Sequence, residues 1–343
     1  MNCFIPRFFV IPVWWAMLVL PAAAQDLVFS HPLSASMYTN PAFAGAFGRY
    51  HASVAARSPF MATANIGYAV YADGDVAVPS WNSGIGVYAM NDRYAGGAFQ
   101  TTSFGLAYAY AFRVSEQLEV RPALQAVFHL QQRNPQSWLF PDRVGGGGVL
   151  TYPNNGTSES RVDFAAGVLL SHPAFQAGAA VQHIGATAGD SLWVYRNQPL
   201  KLTAHARVPI TLAGTGGLLP LQEWMALENV ALSPYAKYIY QGDYQYLIAG
   251  AALRSGGLVA GIAVKAPLQN ATYLGMLSVG VESLSLKMGY SFDFLATGGD
   301  LRGWNSGSHE LFLHYSFGDT NDQPRRHTGK RGRTLNPSCG CPY

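Results

Sequence analysis

Charged side chains are scarce in this chain. Asp, Glu, Lys and Arg make up 12% of its 343 residues, about half their share in an average soluble domain. The net charge is only +3, most of it from the last twenty residues, so nucleic acid is not an expected partner. Aromatic residues reach 13% and glycines number 37, which argues against a helical protein. This composition is typical of a β-rich secreted domain or of a membrane β-barrel.

Long apolar runs are also missing once the N-terminus is passed. Residues 1–24 have the pattern of a cleaved secretory signal peptide, with the positive Arg7, an apolar core over 8–20 and small residues ending at Ala24. Beyond them, no stretch offers the ~18 consecutive apolar residues of a membrane-spanning helix. If the exported chain enters a membrane, it must therefore do so as a closed barrel, whose strands pair their backbone groups with one another.

Period-two alternation then predicts β-strands. In 101–113, large apolar residues such as Phe104, Leu106 and Tyr108 alternate with small ones, as the lipid and lumen faces of a barrel strand require. Segments 118–130 and 284–294 repeat this pattern. About fourteen such segments follow the signal peptide, near 49–57, 62–71, 83–90, 101–113, 117–131, 161–170, 174–182, 199–209, 230–240, 243–253, 257–265, 272–281, 284–294 and 308–317.

A β-sandwich would also alternate, but three features favour a membrane barrel. The predicted strands are about ten residues long, against the five or six usual in soluble sheets. Their apolar face carries Tyr and Phe at its ends, as aromatic girdles do. The other face carries Gly, Ala, Ser and scattered charges, a poor filling for a sandwich core. We therefore predict an all-β, antiparallel up-and-down transmembrane barrel over residues 49–318.

Connection lengths predict an orientation. With an N-terminal segment, 25–48, in the periplasm, long connections such as 132–160 and 183–198 are external and the short ones are internal. The tail, 319–343, then also lies in the periplasm, below the outer membrane of a Gram-negative bacterium. One connection, 210–229, should be an inner turn but has twenty residues. Either the strand count slips there or the barrel has a periplasmic insertion, which could include a short helix.

Several short motifs, in their order and spacing, resemble the PorP/SprF family of type IX secretion outer-membrane proteins. They include QDLVFSH at 25–31, NPAFAG at 40–45, NDR at 91–93, GYSFD at 289–293 and GSHEL at 307–311. The resemblance covers residues 25–318. It implies a non-enzymatic barrel, with no cofactor, that assists the secretion or surface attachment of cargo such as adhesins and in some members supports gliding. Implied partners are type IX secretion components, secreted cargo and outer-membrane lipid. The alternative function is a porin-like channel for small solutes.

Two short motifs are candidate contacts. The first precedes the first predicted strand and forms a plug of the barrel, a partner contact, or simply a turn. The second is expected in an outer loop, where it either touches cargo or forms a polar turn. Their residues are Asn40, Pro41, Phe43 and Gly45 in the first motif, and Asn91, Asp92 and Arg93 in the second.

Inward-facing charged and imidazole side chains are a further candidate. They line an aqueous channel or form a paired network in a closed lumen, and the need of buried charges for partners favours the network. They are Arg121, His129, Lys287, Asp293, Glu310 and His314, with Glu119 beside them. A hydrolytic site is a weaker alternative. His183, Asp190 and Ser191 share one predicted outer loop, but no G-x-S-x-G elbow accompanies them.

The tail, 319–343, is basic and rich in Pro and Gly, which is typical of a disordered segment that either binds a partner or is inert. Its Cys339 and Cys341 are the only cysteines beyond the signal peptide. In an oxidising compartment they either pair with each other, although a one-residue spacer strains that bond, or link to another protein. A metal site with only two thiols is the weaker alternative.

Overall fold

The computed structural model describes residues 26–32, 34–59, 67–94, 97–134, 157–184, 198–211, 230–269, 273–295 and 307–318. This part of the chain contains one helical turn, α1 (Ser36–Thr39), and 3-10 helices at Pro41–Phe43 and Pro79–Trp81. No helix within these ranges is long and apolar enough to cross a membrane. The strands are β1 (Tyr50–Pro59), β2 (Gly67–Val78), β3 (Ser83–Tyr94), β4 (Phe99–Tyr110), β5 (Phe112–Arg113), β6 (Glu119–Arg133), β7 (Thr157–His172), β8 (Phe175–Gln182), β9 (Lys201–Arg207), β10 (Ile210–Thr211), β11 (Ala231–Gln241), β12 (Tyr244–Ser255), β13 (Leu258–Pro267), β14 (Leu274–Glu282), β15 (Leu286–Leu295) and β16 (Ser308–Phe317).

The sheet closes on itself. Each long strand pairs antiparallel with the next, and β16 returns to β1 in a register that runs from Tyr50 opposite Phe317 to Pro59 opposite Ser308. The two-residue strands β5 and β10 extend the pairing along β6 and β11. The result is a closed antiparallel barrel of 14 strands. Closure pairs both edges of the sheet, as a strand structure in lipid requires, and the predicted fold class is confirmed.

The two faces of the barrel wall differ as the alternation predicts. In β4, Ser103 and Ala107 are buried, while Phe104 and Leu106 are 52% and 56% exposed. The same alternation holds along β6, where Leu124 is 69% exposed. Large apolar side chains therefore cover the outside of the barrel and suit contact with hydrocarbon, whereas small and polar side chains point inward.

The two ends of the barrel differ in their connections. At one end, here the short-turn end, most strand pairs are joined by short turns (79–82, 114–118, 173–174, 256–257 and 283–285). The longer connection that leads from β10 to β11 is at the same end, where β1 begins and β16 ends. The opposite end, here the long-loop end, carries 134–156, 183–200 and 296–307, among other connections. The strand count does not slip at 210–229, because β9 and β11 are direct neighbours. Residues 212–229, with the short helix considered there, lie outside the described residues.

Several strands are longer than predicted, and in two of them polar residues make the extension. The segment expected at 62–71 is β2, which continues to Val78 because Asp73 and Asp75 turn into the bore and find polar partners there. The motif expected in an outer loop, Asn91-Asp92-Arg93, is instead the end of β3. It keeps its backbone pairing with β4, and Asn91 Nδ2 donates to Thr102 Oγ1 at 2.8 Å. Polar residues extend a strand in this way where they pair with a polar neighbouring strand.

Residues 26–32 and 34–48, here called the bore segment, run through the inside of the barrel. Asp26 bonds to Gln241 and Gln198 at the long-loop end, whereas Gly45 bonds to Asp75 near the short-turn end. Between these points the segment provides much of the buried apolar core, with Phe29 edge-on to Tyr71. The described part of the N-terminal segment predicted at 25–48 thus lies within the barrel, because its apolar and polar groups find their partners on the inner wall.

Leu124→Arg tests the outward face. This position is near the middle of the apolar stretch of β6, where an arginine on the lipid side of a barrel costs about 2–4 kcal/mol. We expect the free energy of folding into phospholipid vesicles, measured by denaturant titration, to fall by that amount. Gln117→Arg, in the exposed 114–118 turn, is the matched control and should change it by less than about 0.5 kcal/mol. Equal losses in both variants would contradict the assignment of this face to lipid.

Candidate functional site

A buried ion-pair cluster joins the bore segment to the barrel wall. Arg57 of β1 donates to Asp293 of β15 and to Glu310 of β16, each at 2.7 Å. The backbone N–H groups of Ser30 and His31 donate to the two oxygens of Glu310, at 2.9 and 3.0 Å. The Ser30 hydroxyl donates to Asp293 at 2.5 Å and accepts from Arg57 at 2.8 Å. The cluster thus ties three strands of the wall to the first residues of the bore segment.

The hydrogen bonding of the carboxylates in this cluster is incomplete without the bore segment. One guanidinium faces two carboxylates, and all three side chains are more than nine-tenths buried. Buried carboxylates need additional hydrogen-bond donors when their cations are too few. The backbone and hydroxyl groups of Ser30, His31 and Ser34 supply these donors. The bore segment therefore stabilises the barrel wall, because it completes the hydrogen bonds of two buried wall residues.

Asn40 fixes the middle of the bore segment. Its backbone ends α1, and its side-chain oxygen accepts from Ala42 N at 3.0 Å, which caps the following 3-10 helix. Its amide donates to Val168 O of β7 at 3.0 Å. A Cβ on the facing Gly167 would overlap the Asn40 side chain and crowd the ring of Pro41. Asn40 and Pro41, predicted as plug or partner residues, are thus buried against the wall, and a glycine on β7 makes room for them.

A second set of contacts holds the C-terminal part of the bore segment near the short-turn end. Gly45 has a φ of +70°, which favours glycine, and its N–H donates to Asp75 at 2.7 Å. Arg121 of β6 donates to Ala44 O at 2.9 Å and to Glu119 at 2.7 Å. Phe43, on the same turn, is buried and stacks on Phe47 and His205. These contacts direct the chain into β1.

Asp26, the first described residue, belongs to a third cluster. Its carboxylate accepts from His183 Nε2 at 2.8 Å and from Lys201 at 3.1 Å. On its other side, His183 Nδ1 lies 2.5 Å from Asp163 of β7. His183 follows β8 directly. Burial acts to lower its pKa, but the carboxylates of Asp26 and Asp163 outweigh burial and raise this pKa to about 9. Without a metal, His183 is therefore a cation that bridges two carboxylates.

The predicted lumen residues fall into separate groups rather than one network. Asp293 and Glu310 share Arg57, whereas His314 Nδ1 lies 3.0 Å from His51 Nε2. Lys287 is half-buried near the short-turn end and pairs with Glu282 at 2.7 Å. Arg121 belongs to the second set of contacts described above, and His129 Nε2 lies 3.8 Å from Asp163 of the third cluster.

Two predicted sites fall wholly or partly outside the described residues. Cys339 and Cys341 lie there entirely, as do Asp190 and Ser191 of the hydrolase alternative. The remaining member of that alternative, His183, has carboxylates on both ring nitrogens. A histidine that acts as a general base for a nucleophile needs one nitrogen directed at that nucleophile.

Sequence reasoning missed several partners on the inner wall. Arg57 and His51 lie on the inward parity of β1, so alternation alone was able to place them in the bore. Their contacts to Glu310 and His314 join the first strand to the last. No pattern of neighbouring residues in the sequence predicts such a distant pairing. Asp26 and Ser30 lie in a segment without periodicity, where no pattern marks an inward side chain.

A closed antiparallel barrel with an apolar outer face and a bore occupied by its own N-terminal segment is an outer-membrane β-barrel protein. Its family follows from sequence, since residues 22–315 match the family described as type IX secretion system membrane protein PorP/SprF. The chain therefore belongs to the PorP/SprF family and is a secretion or transport membrane protein of a type IX secretion system.

Solved structures resemble the chain only at the level of a barrel. The Ralstonia pickettii toluene transporter TbuX is 12% identical, with a TM-score of 0.44, and the match covers 82% of this chain and 92% of that one. A Pseudomonas aeruginosa FadL homologue is 11% identical, with a TM-score of 0.39, over 85% and 100% of the two chains. Such distant likenesses do not bear on function. No curated protein matches the chain in sequence.

Arg57→Met tests the first cluster. The substitution keeps an apolar side chain of similar length but leaves two buried carboxylates without their cation, which costs about 3–5 kcal/mol. We expect that loss in the free energy of unfolding, together with faster protease cleavage within residues 26–34. Arg254→Met is the matched control, because Arg254 is 37% exposed and 3.8 Å from Glu282, so its loss should cost less than about 1 kcal/mol. A loss below 1 kcal/mol for Arg57→Met would show that the cluster does not hold the segment.

Proposed function

We propose that this chain is a non-enzymatic accessory of type IX secretion, which assists the export or surface attachment of particular cargo proteins such as adhesins. The observation that carries this proposal is the occupied bore. The bore segment is bonded to the wall near both ends and in the middle, through Asp26, Asn40 and Gly45. A barrel filled in this way acts through its rims and loops, because its interior is already in use.

The connections support an orientation for this accessory. Long loops on the cell exterior and short turns in the periplasm are the rule for outer-membrane barrels. This rule places the short-turn end, and with it the start of β1 and the end of β16, in the periplasm. The basic tail, 319–343, would then meet periplasmic secretion components, while Asp26 lies towards the exterior rim. In this orientation the bore segment runs inside the barrel from Asp26 near the exterior rim to Gly45 near the periplasmic end.

The exterior rim is where cargo would be recognised. It carries long connections, 134–156 and 183–200 among them, and the end of β3 with Asn91-Asp92-Arg93. Loops held by a rigid barrel are well suited to binding. Gliding motility, as one use of such cargo, depends on which adhesin is exported and is part of the same proposal.

Conductance measurements distinguish this accessory from a porin for small solutes. In planar bilayers, we expect the intact chain to conduct at most about a tenth as much as a variant lacking residues 27–47, because removing the bore segment opens a water-filled path. Folding of both proteins is checked by heat-modifiable mobility on gels. Stable porin-like openings of the intact chain, equal to those of the shortened variant, would favour the porin instead.

Loss of the gene tests the secretion role directly. We expect its deletion to remove one or a few cargo proteins from the cell surface, while other type IX substrates stay, as measured by proteomics of shaved surface peptides. The wild-type gene should restore them, whereas a variant shortened within 135–156 at the long-loop end should not, although it reaches the outer membrane. An unchanged surface proteome in the deletion strain would rule the accessory role out.

A further inference from the structure

Three buried side chains on neighbouring strands bring metal-ligand atoms together at the long-loop end of the bore. His129 belongs to β6, Asp163 to β7, and His183 follows β8. Their nearest ligand atoms all lie within 4.8 Å of one another. The Asp163 Oδ2 atom lies 2.5 Å from His183 Nδ1 and 3.8 Å from His129 Nε2. His129 and Asp163 lie on adjacent strands held in register by the barrel, and His183 is the first residue after β8, where the following Ile184 N–H still donates to Phe164 O of β7 at 3.1 Å.

One nitrogen of the buried His129 ring makes no hydrogen bond within the described residues and faces Asp163 across 3.8 Å. On this ring, Nδ1 lies 2.8 Å from the Ser103 hydroxyl. Its Nε2 is buried and has no hydrogen-bond partner among the described residues, and the side chain is only 9% exposed. A buried polar atom without a partner carries a free-energy penalty. When Nδ1–H donates to Ser103, the Nε2 lone pair is directed at Asp163, as a metal ligand would be.

His183 is prepared for the same role from the opposite side. Its Nε2–H donates to the Asp26 carboxylate at 2.8 Å, so that loss of the Nδ1 proton to solvent on metal binding leaves the lone pair of Nδ1 facing Asp163. A carboxylate behind a histidine ligand is the usual support that fixes the ring orientation in metal sites. His183 also has a φ of +64°, a left-handed conformation that is uncommon outside glycine and often accompanies functional sites.

We propose that His129 Nε2, His183 Nδ1 and Asp163 Oδ2 bind one divalent transition-metal ion, with zinc as the best match. Two imidazoles and one carboxylate are typical zinc ligands, whereas calcium and magnesium prefer oxygen ligands alone. Ligand distances of about 2.0–2.2 Å require the Asp163 and His183 side chains to separate slightly and His129 to move closer. Three protein ligands leave a fourth position for water or another donor.

The surrounding charges form a metal-free arrangement that competes with metal binding. Lys201 bonds to Asp26, and Arg161 lies on the same stretch of β7 as Asp163. Two carboxylates facing these cations and a protonated His183 form a stable ion-pair cluster without a metal. The metal replaces the proton that His183 shares with Asp163 and gives His129 Nε2 a partner, which the ion-pair cluster alone does not. Through Asp26, the metal site would also hold the start of the bore segment.

Metal content is the direct test. The full chain, without a polyhistidine tag, is purified from outer membranes in detergent, stripped with a chelator and titrated with Zn²⁺, with Co²⁺ as a spectroscopic probe. We expect one saturable Zn²⁺ per chain, and a Co²⁺ spectrum typical of low coordination number with nitrogen ligands. His129→Gln and Asp163→Asn should each weaken binding by at least about 100-fold, and Asp26→Asn, behind the site, by about 10–100-fold.

His205→Gln is the matched control, since it removes an inward-facing histidine elsewhere in the bore that bonds to Asn40. It should leave zinc binding unchanged. His129→Gln is expected to fold, because it removes an atom without a partner, and its heat-modifiable mobility checks this. The proposal is overturned if the stripped chain shows no saturable zinc binding, or if His129→Gln binds zinc as tightly as the wild type and His205→Gln.

Discussion

The pairing of β1 with β16 is the constraint on which the rest of the structure depends. It closes the sheet, so that backbone groups facing hydrocarbon have partners, and it sets Arg57 directly opposite Glu310. With Asp293 on the next strand, closure therefore assembles an ion-pair cluster from the two ends of the barrel sequence. The same pairing that satisfies the backbone in lipid therefore buries two carboxylates beside one guanidinium.

The bore segment supplies the hydrogen-bond donors that these two buried carboxylates need. Its hydroxyl and backbone donors complete the bonding of Glu310 and Asp293, while Phe29 packs against Tyr71 of the wall. Because this segment precedes β1 and its backbone donates to Glu310 of β16, its contacts favour the pairing of β1 with β16. Filling and closure of the barrel are thus coupled, and the many small residues of the inner face give the segment its space.

The strands and the two faces of the barrel wall could be predicted from the sequence, whereas the contacts inside the bore could not. Alternation such as Ser103 against Phe104 marks both the strand and its lipid side, since a barrel strand meets two different environments. Asp73 and Asn91 were misplaced because a polar residue favours a turn locally, whereas here the neighbouring strands pair with it. The partners of His129, Asp163 and His183 depend on register across three strands and on Asp26, which lies in a segment without periodicity.

These constraints limit what the bore is able to do. An open channel would require the bore segment to leave, and Glu310 would then lose donors from Ser30, His31 and Ser34 at once. Leaving a buried carboxylate without its donors is costly, so the closed state is strongly favoured over any state that exports a chain through this interior. The proposed contacts with cargo are therefore better served at the rims, where long connections are held by the closed wall.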